Sequence, residues 1–213
     1  MRALRILCLH GFRGSGAGLE RQMRPLVAGL TTEVEFLYVD APPNASGGRS
    51  WWNAVESGDA DGAGNAKRYE GWRETRAWAV AFFEKSAPID GVFGFSQGAA
   101  LAALLVGLRA PDGVPSAERP LHFACAMLVS GFVSRDPAHA ALYQSRASFA
   151  LPSLHILGRT DRIVPPEASL ALAAYFEKPI VIEHDGGHSI ACSVDVRGAV
   201  AAFLTQTSNA RTR

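Results

Sequence analysis

The sequence predicts an α/β protein: a mostly parallel central sheet of about six strands flanked by helices, with no large cap domain. Two observations carry that expectation. Short apolar runs rich in Val, Ile, Leu and Phe recur along the 213 residues, and they are continuous rather than alternating, as in strands covered on both faces. Helix-length segments separate those runs, and strands that alternate with helices build a parallel sheet. An apolar content of 48% is enough to cover both faces of such a sheet.

The expected strands are residues 4–9, 34–39, 91–95, 122–129, 153–157 and 180–183. The expected helices are 19–30, 72–85, 97–109, 166–177 and 194–204, the second with Trp72, Trp78, Phe82 and Phe83 on one broad apolar face. Residues 42–68 break the rhythm. They are rich in Gly, Pro, Asn, Asp and Ala around Trp51-Trp52, and an irregular stretch of that length in a compact domain is usually functional or disordered. Residues 111–120 read as a shorter polar loop. Nothing divides the chain further, so 1–204 reads as one domain and 205–213 as a frayed polar tail.

Composition excludes several function classes. The net charge is +1 and lysine occurs only at Lys67, Lys85 and Lys178, so no basic stripe exists to attract nucleic acid or an anionic membrane. No apolar run approaches the ~18 residues of a membrane span, so stable insertion is not expected. The opening MRALRILCLHGF is interrupted by Arg5 and His10 and reads as a first strand rather than a signal segment. Cys8, Cys125 and Cys192 are odd in number and lack paired spacing, which argues against a disulfide framework or a zinc site. Cys8 and Cys125 sit in apolar runs as small hydrophobes. The expectation is a cytoplasmic protein with no metal and no cofactor.

Gly94-Phe95-Ser96-Gln97-Gly98 matches G-x-S-x-G. The motif alone is weak, and a serine between glycines also serves as a helix N-cap. Its context raises it: the preceding run reads as a strand and the following Ala- and Leu-rich run as a helix, the arrangement that lifts a nucleophilic serine above a sheet. A serine hydroxyl then needs a positioned base. Among six histidines, His188 in Asp185-Gly186-Gly187-His188-Ser189 is the candidate, because it follows the last expected strand and its glycine pair lets the loop approach closely. The orienting carboxylate falls to Asp161, after the 153–157 strand, with Asp136 and Asp185 as rivals. The order Ser96, Asp161, His188 is the α/β-hydrolase chain order. His184 and His188 are four apart, but Gly186-Gly187 between them disfavours the helix a metal pair would need.

The first expected strand runs into His10-Gly11-Phe12-Arg13-Gly14-Ser15-Gly16. In a hydrolase the Phe12 amide and the Gln97 amide, which follows the nucleophile, would hold the oxyanion. The same glycines, with Asp40 ending the next strand, also fit a dinucleotide-binding fingerprint. That alternative leaves Ser96, Asp161 and His188 without a role, and no Tyr is followed four residues later by Lys. A non-catalytic scaffold and a peptide-cleaving hydrolase are further alternatives, since fold alone does not set activity. Trp51, Trp52 and Phe132 are candidates for an apolar acyl wall.

Together, Leu9-His10-Gly11-Phe12, Tyr38-Val39-Asp40-Ala41-Pro42, Ser50-Trp51-Trp52, the Ser96 motif, Gly158-Arg159-Thr160-Asp161-Arg162-Ile163-Val164 and Gly186-Gly187-His188 resemble the "family of serine hydrolases" group over about residues 5–204. That group includes fungal hydrolases, ovarian-cancer-gene-2-type esterases and thioesterases that release polyketide acyl chains. The resemblance implies an α/β-hydrolase fold, a triad at Ser96, Asp161 and His188, and oxyanion donors at Phe12 and Gln97. It also implies an esterase or thioesterase whose partner is a small-molecule acyl ester or thioester with a fairly hydrophobic chain. The Gly/Ala-rich stretch 58–67 departs from the family pattern.

Overall fold

The structure, a computed structural model, describes residues 2–43, 49–56 and 66–211. Six parallel strands form the central sheet in the order β2-β1-β5-β6-β7-β8. They are β1 (Leu4–Leu9), β2 (Val34–Val39), β5 (Gly91–Phe95), β6 (Cys125–Val129), β7 (Ser153–Gly158) and β8 (Ile180–His184). Each lies where a continuous apolar run placed it. The 122–129 run starts its strand three residues later than expected, because Leu121 and Phe123 instead anchor a buried approach to the sheet.

Helices α1 (Gly16–Val27), α2 (Trp72–Ser86), α3 (Gln97–Gly107), α4 (Arg146–Phe149), α5 (Pro166–Ala173) and α6 (Val194–Ala210) surround the sheet. Leu19, Met23, Val196, Val200 and Phe203 of α1 and α6 share one core with Ile6, Phe93 and Met127. On the other face α3 joins Ala79, Phe83, Trp51, Trp52 and Leu172 in a second core. Every residue of α3 is buried, which explains why its Ala/Leu sequence carries no polar face. The fold is that of the α/β hydrolases, and no large cap is present among the described residues.

Two features differ from expectation. The 42–68 stretch is not wholly irregular: β3 (Asn53–Glu56) and β4 (Lys67–Glu70) form an antiparallel pair, Asn53 opposite Glu70. Most of the 58–67 stretch lies outside the described residues. The last helix runs beyond its expected end at residue 204: α6 continues to Ala210. Two hydroxyls of its last turns, Thr205 and Thr207, donate to the carbonyls of Ala201 and Phe203, and Arg211 donates to the carbonyl of Arg2, just ahead of β1.

That return contact centres on Asp90. Its carboxylate accepts from Arg2 at 2.7 and 2.8 Å, from the Arg5 amide at 2.8 Å and from Arg211 at 2.9 Å. Both ends of the described chain are thus tied to the start of β5. Burial pushes the Asp90 carboxyl up, but the hydrogen bonds from Arg2, the Arg5 amide and Arg211 outweigh it and hold the group below its ordinary value. A depressed folded value means stability that is complete above the unfolded pKa of ~3.9 and is lost as pH falls through the folded value. Asp90→Asn is therefore expected to lower unfolding stability by about 1–3 kcal/mol at pH 7. Urea denaturation of both proteins should show the gap narrowing below pH ~4; a gap independent of pH would refute the assignment.

Candidate active site

The site assembles where neighbouring strands end. β1 and β5 pair directly, with Leu9 opposite Gly94, so the loops leaving them emerge side by side at the carboxyl edge of the sheet. This is also where the strand order reverses direction, from β1 to β2 on one side and to β5 on the other, a crevice that open α/β sheets use for ligands.

After β5 the chain turns at Ser96, whose φ of 55° and ψ of −117° are unusual for a residue with a side chain. The turn is tight enough to demand glycine on both sides. A Cβ on Gly94 would lie 2.2 Å from the Gly98 carbonyl oxygen, and one on Gly98 would lie 2.1 Å from that of Leu9. Ser96 heads α3, and the Ser96 amide donates to the Val129 carbonyl at 2.9 Å, which ties the elbow to β6.

Asp161 follows β7 and His188 follows β8, adjacent strands paired through Gly158 and His184. His188 Nε2 lies 2.9 Å from Ser96 Oγ, and its Nδ1 lies 2.7 Å from Asp161 Oδ2. The second Asp161 oxygen accepts from the Ile163 and Val164 amides, both at 2.9 Å. Burial pushes this carboxyl up, but the Val164 amide, His188 and the Ile163 amide together hold it below its ordinary value. An ionised carboxylate only accepts, so the imidazole carries its proton on Nδ1 and leaves the Nε2 lone pair to face the serine hydroxyl. Ser130, at the end of β6 with φ of 49°, adds a weaker pull on Asp161, although its buried hydroxyl meets no partner in hydrogen-bond geometry.

The rival acids are engaged elsewhere. Asp185 pairs with Arg159 at 2.6 Å, and Asp136 accepts from the Ala138 and Tyr69 amides. Asp40 accepts from the Gly16 amide at 2.8 Å, so it fixes the start of α1 and is not free for a ribose.

After β1 the chain makes a turn closed by the Gly14 amide donating to the Gly11 carbonyl at 3.0 Å, with Arg13 at φ 55°. His10 holds this loop. Its Nδ1 lies 2.7 Å from the Gly11 oxygen and its Nε2 accepts from the Ala41 amide at 3.1 Å. The Phe12 and Gln97 amides make no hydrogen bond among the described residues, so both remain available as donors.

The expected aromatics separate. Trp52 and Phe132 line an apolar cleft of about 610 Å³ beside Ser96, with Phe12, Tyr69, Ile163 and Val164. Trp51 does not reach it. Trp51 is fully buried, stacks on His10 with ring centres 4.9 Å apart, and donates from Nε1 to the His10 carbonyl at 2.8 Å. It braces the loop that carries the Phe12 amide. The Gln97 side chain has a role its motif position did not reveal: Oε1 accepts from the Trp51 amide at 3.2 Å and Nε2 donates to the Trp52 carbonyl at 2.8 Å. Tyr69 and Val133 were missed as wall residues because each belongs to a segment without periodic signal.

Comparison with known proteins identifies the family and relatives of the chain. The serine hydrolase (FSH1) family matches residues 1–199. The chain is 33% identical to Esterase OVCA2 of Xenopus tropicalis, over 90% of this chain and 88% of that one. It is also 33% identical to Esterase OVCA2 of Homo sapiens, over 96% and 97%. Among solved structures it resembles Zea mays acyl-protein thioesterase 2, with a TM-score of 0.67 at 20% identity over 97% of this chain and 94% of that one. Arabidopsis thaliana SOBER1 gives a TM-score of 0.67 at 19% identity over 97% and 99%.

The elbow geometry predicts a contrast between two glycines. Gly98→Ala should cost about 3 kcal/mol or more, because its Cβ meets backbone, and should abolish labelling of Ser96 by a fluorophosphonate probe. Gly198→Ala in α6 has nothing within 4 Å and should stabilise the protein by about 0.5–1 kcal/mol with labelling intact. Thermal melts and gel labelling test both; a silent Gly98→Ala would contradict the packing.

Proposed function

The chain belongs to the serine hydrolase (FSH1) family and is a carboxylic ester hydrolase; from that premise we propose that it cleaves esters or thioesters of hydrophobic acyl chains through an acyl-enzyme on Ser96. The observation that carries the proposal is the aligned chain from Asp161 through His188 to the Ser96 hydroxyl at the edge of an apolar cleft.

Ser96 Oγ attacks the acyl carbonyl carbon while His188 Nε2 takes the hydroxyl proton. Asp161 keeps the imidazole in the required tautomer and stabilises the imidazolium. The Phe12 and Gln97 amides hold the oxyanion, donors worth about 2.7–4 kcal/mol each when they are in place. Collapse of the tetrahedral species breaks the bond to the leaving alcohol or thiol, which receives the proton from His188. Water then attacks the acyl-enzyme, His188 takes its proton, and the carboxylic acid leaves as Ser96 regains its hydrogen. The acyl chain lies against Trp52 and Phe132, which present apolar surface next to the nucleophile. Trp51 supports the oxyanion loop from behind.

No helix among the described residues is long and apolar enough to cross a membrane. We propose a cytoplasmic location, which the free thiols of Cys8 and Cys125 support.

Ser96→Ala should abolish p-nitrophenyl ester hydrolysis and fluorophosphonate labelling together, and Asp161→Asn should lower kcat by about 10⁴-fold by favouring the wrong imidazole tautomer. Steady-state rates and labelling measure both. Persistent labelling of Ser96→Ala would sink the nucleophile assignment. An acyl-length series prepared as oxygen esters and as thioesters separates the two leaving groups.

A further inference from the structure

Among the described residues, the cleft beside Ser96 carries charge at one point. Arg135 lines it together with Phe132, Val133, Tyr69 and Trp52, and it is the one charged residue in that lining among the described residues. Its guanidinium makes no hydrogen bond or ion pair to any described residue. The neighbouring carboxylates do not neutralise it. Asp136 is turned onto the Tyr69 and Ala138 amides, and Glu56 is paired with Lys67.

The backbone of Arg135 is held on both sides. Its amide donates to the Tyr69 hydroxyl at 3.0 Å, and its carbonyl accepts from the Lys67 amide at 2.9 Å. The backbone carrying the side chain is thus bound to β4, and the residue sits at a saddle. It lines the reactive cleft and also a second depression of about 410 Å³, with Ser134, Pro137, Tyr143 and Tyr175.

Arg135 is exposed, and its guanidinium is free of partners among the described residues at the edge of a lining that is otherwise uncharged. Arginine is also the side chain suited to bidentate pairing with a carboxylate or phosphate. We propose that Arg135 forms an anion subsite of the ester-hydrolysing cleft, selecting acyl substrates that carry a carboxylate or phosphate beyond the scissile bond. This rests on the assignment of Ser96 as nucleophile. The anion can lie at the far end of the acyl chain or on the leaving group, and both sources present the same chemistry to the guanidinium.

The test compares matched neutral and anionic substrates. One arm uses p-nitrophenyl hexanoate against the p-nitrophenyl monoester of adipic acid, which places a carboxylate on the acyl tail. The other uses hexanoyl N-acetylcysteamine against hexanoyl coenzyme A, which places phosphates on the leaving group. In at least one arm, Arg135→Gln should lower the ratio of anionic to neutral kcat/KM on the order of fivefold, the discrimination a partly exposed charge pair supports. Arg135→Lys should recover part of it, and added salt should shrink the wild-type ratio. The arm that responds identifies the source of the anion. Neutral turnover with a ratio unchanged by Arg135→Gln in both arms would overturn the subsite alone. If the wild type turns over none of the four substrates, the hydrolase reading falls and the subsite with it.

Discussion

The close approach of α3 to the end of β1 is the constraint on which the remainder of the site depends. A Cβ on Gly98 would stand 2.1 Å from the Leu9 carbonyl oxygen, so the first turn of the helix lies directly on the backbone of the neighbouring strand. Parallel pairing of β1 with β5 brings two strand ends together, and this contact brings the helix N-terminus down between them. The Ser96 hydroxyl, the Gln97 amide and the Phe12 loop then converge without any long side chain to bridge them. Complete burial of α3 follows from the same contact, because a helix seated this deep can present no face to water.

The loop beyond β1 has too little regular structure to hold itself, and a buried polar network supplies the missing rigidity. His10 bonds its own loop and the Ala41 amide, Trp51 stacks on His10 and caps its carbonyl, and the Gln97 side chain grips Trp51 and Trp52 through their backbone. The Thr75 hydroxyl of α2 donates to the Trp51 carbonyl and completes the set. Burial lowers the His10 pKa, which keeps the ring neutral and able to accept from Ala41 while donating to Gly11. Each group in this network is satisfied, the condition under which a buried polar cluster rigidifies a fold.

Much of this was legible in the sequence, and the exceptions share a cause. Strands covered on both faces need continuous apolar runs, and all six runs mark strands of the central sheet. Ser96, Asp161 and His188 follow strand ends, so chain order alone brought them to one edge. The β3–β4 pair escaped because its strands are four residues long and only Tyr69 is buried in the second. The last turns of α6 read as a tail because Thr205, Gln206, Thr207 and Asn209 are polar, and what holds them is the ion pair of Arg211 with Asp90, a contact across 121 residues that no local pattern encodes. Trp51 and Trp52 are adjacent and chemically identical, yet one braces a backbone and the other faces the cleft, a distinction that residue type alone does not encode.

The two parts of the site differ in how they are built. The Ser96–His188–Asp161 chain is located by strand ends and by the Ile163 and Val164 amides. The cleft wall is instead a composite of the β3–β4 pair and the segment after β6, joined by three bonds: the Lys67 amide to the Arg135 carbonyl, the Arg135 amide to the Tyr69 hydroxyl, and the Tyr69 amide to Asp136. Trp52 stacks on Tyr69 with ring centres 4.6 Å apart, which extends the same unit to the start of the pair. A substitution at Tyr69 that removes its hydroxyl therefore frees the Arg135 amide as well as changing the surface Tyr69 itself presents to the cleft.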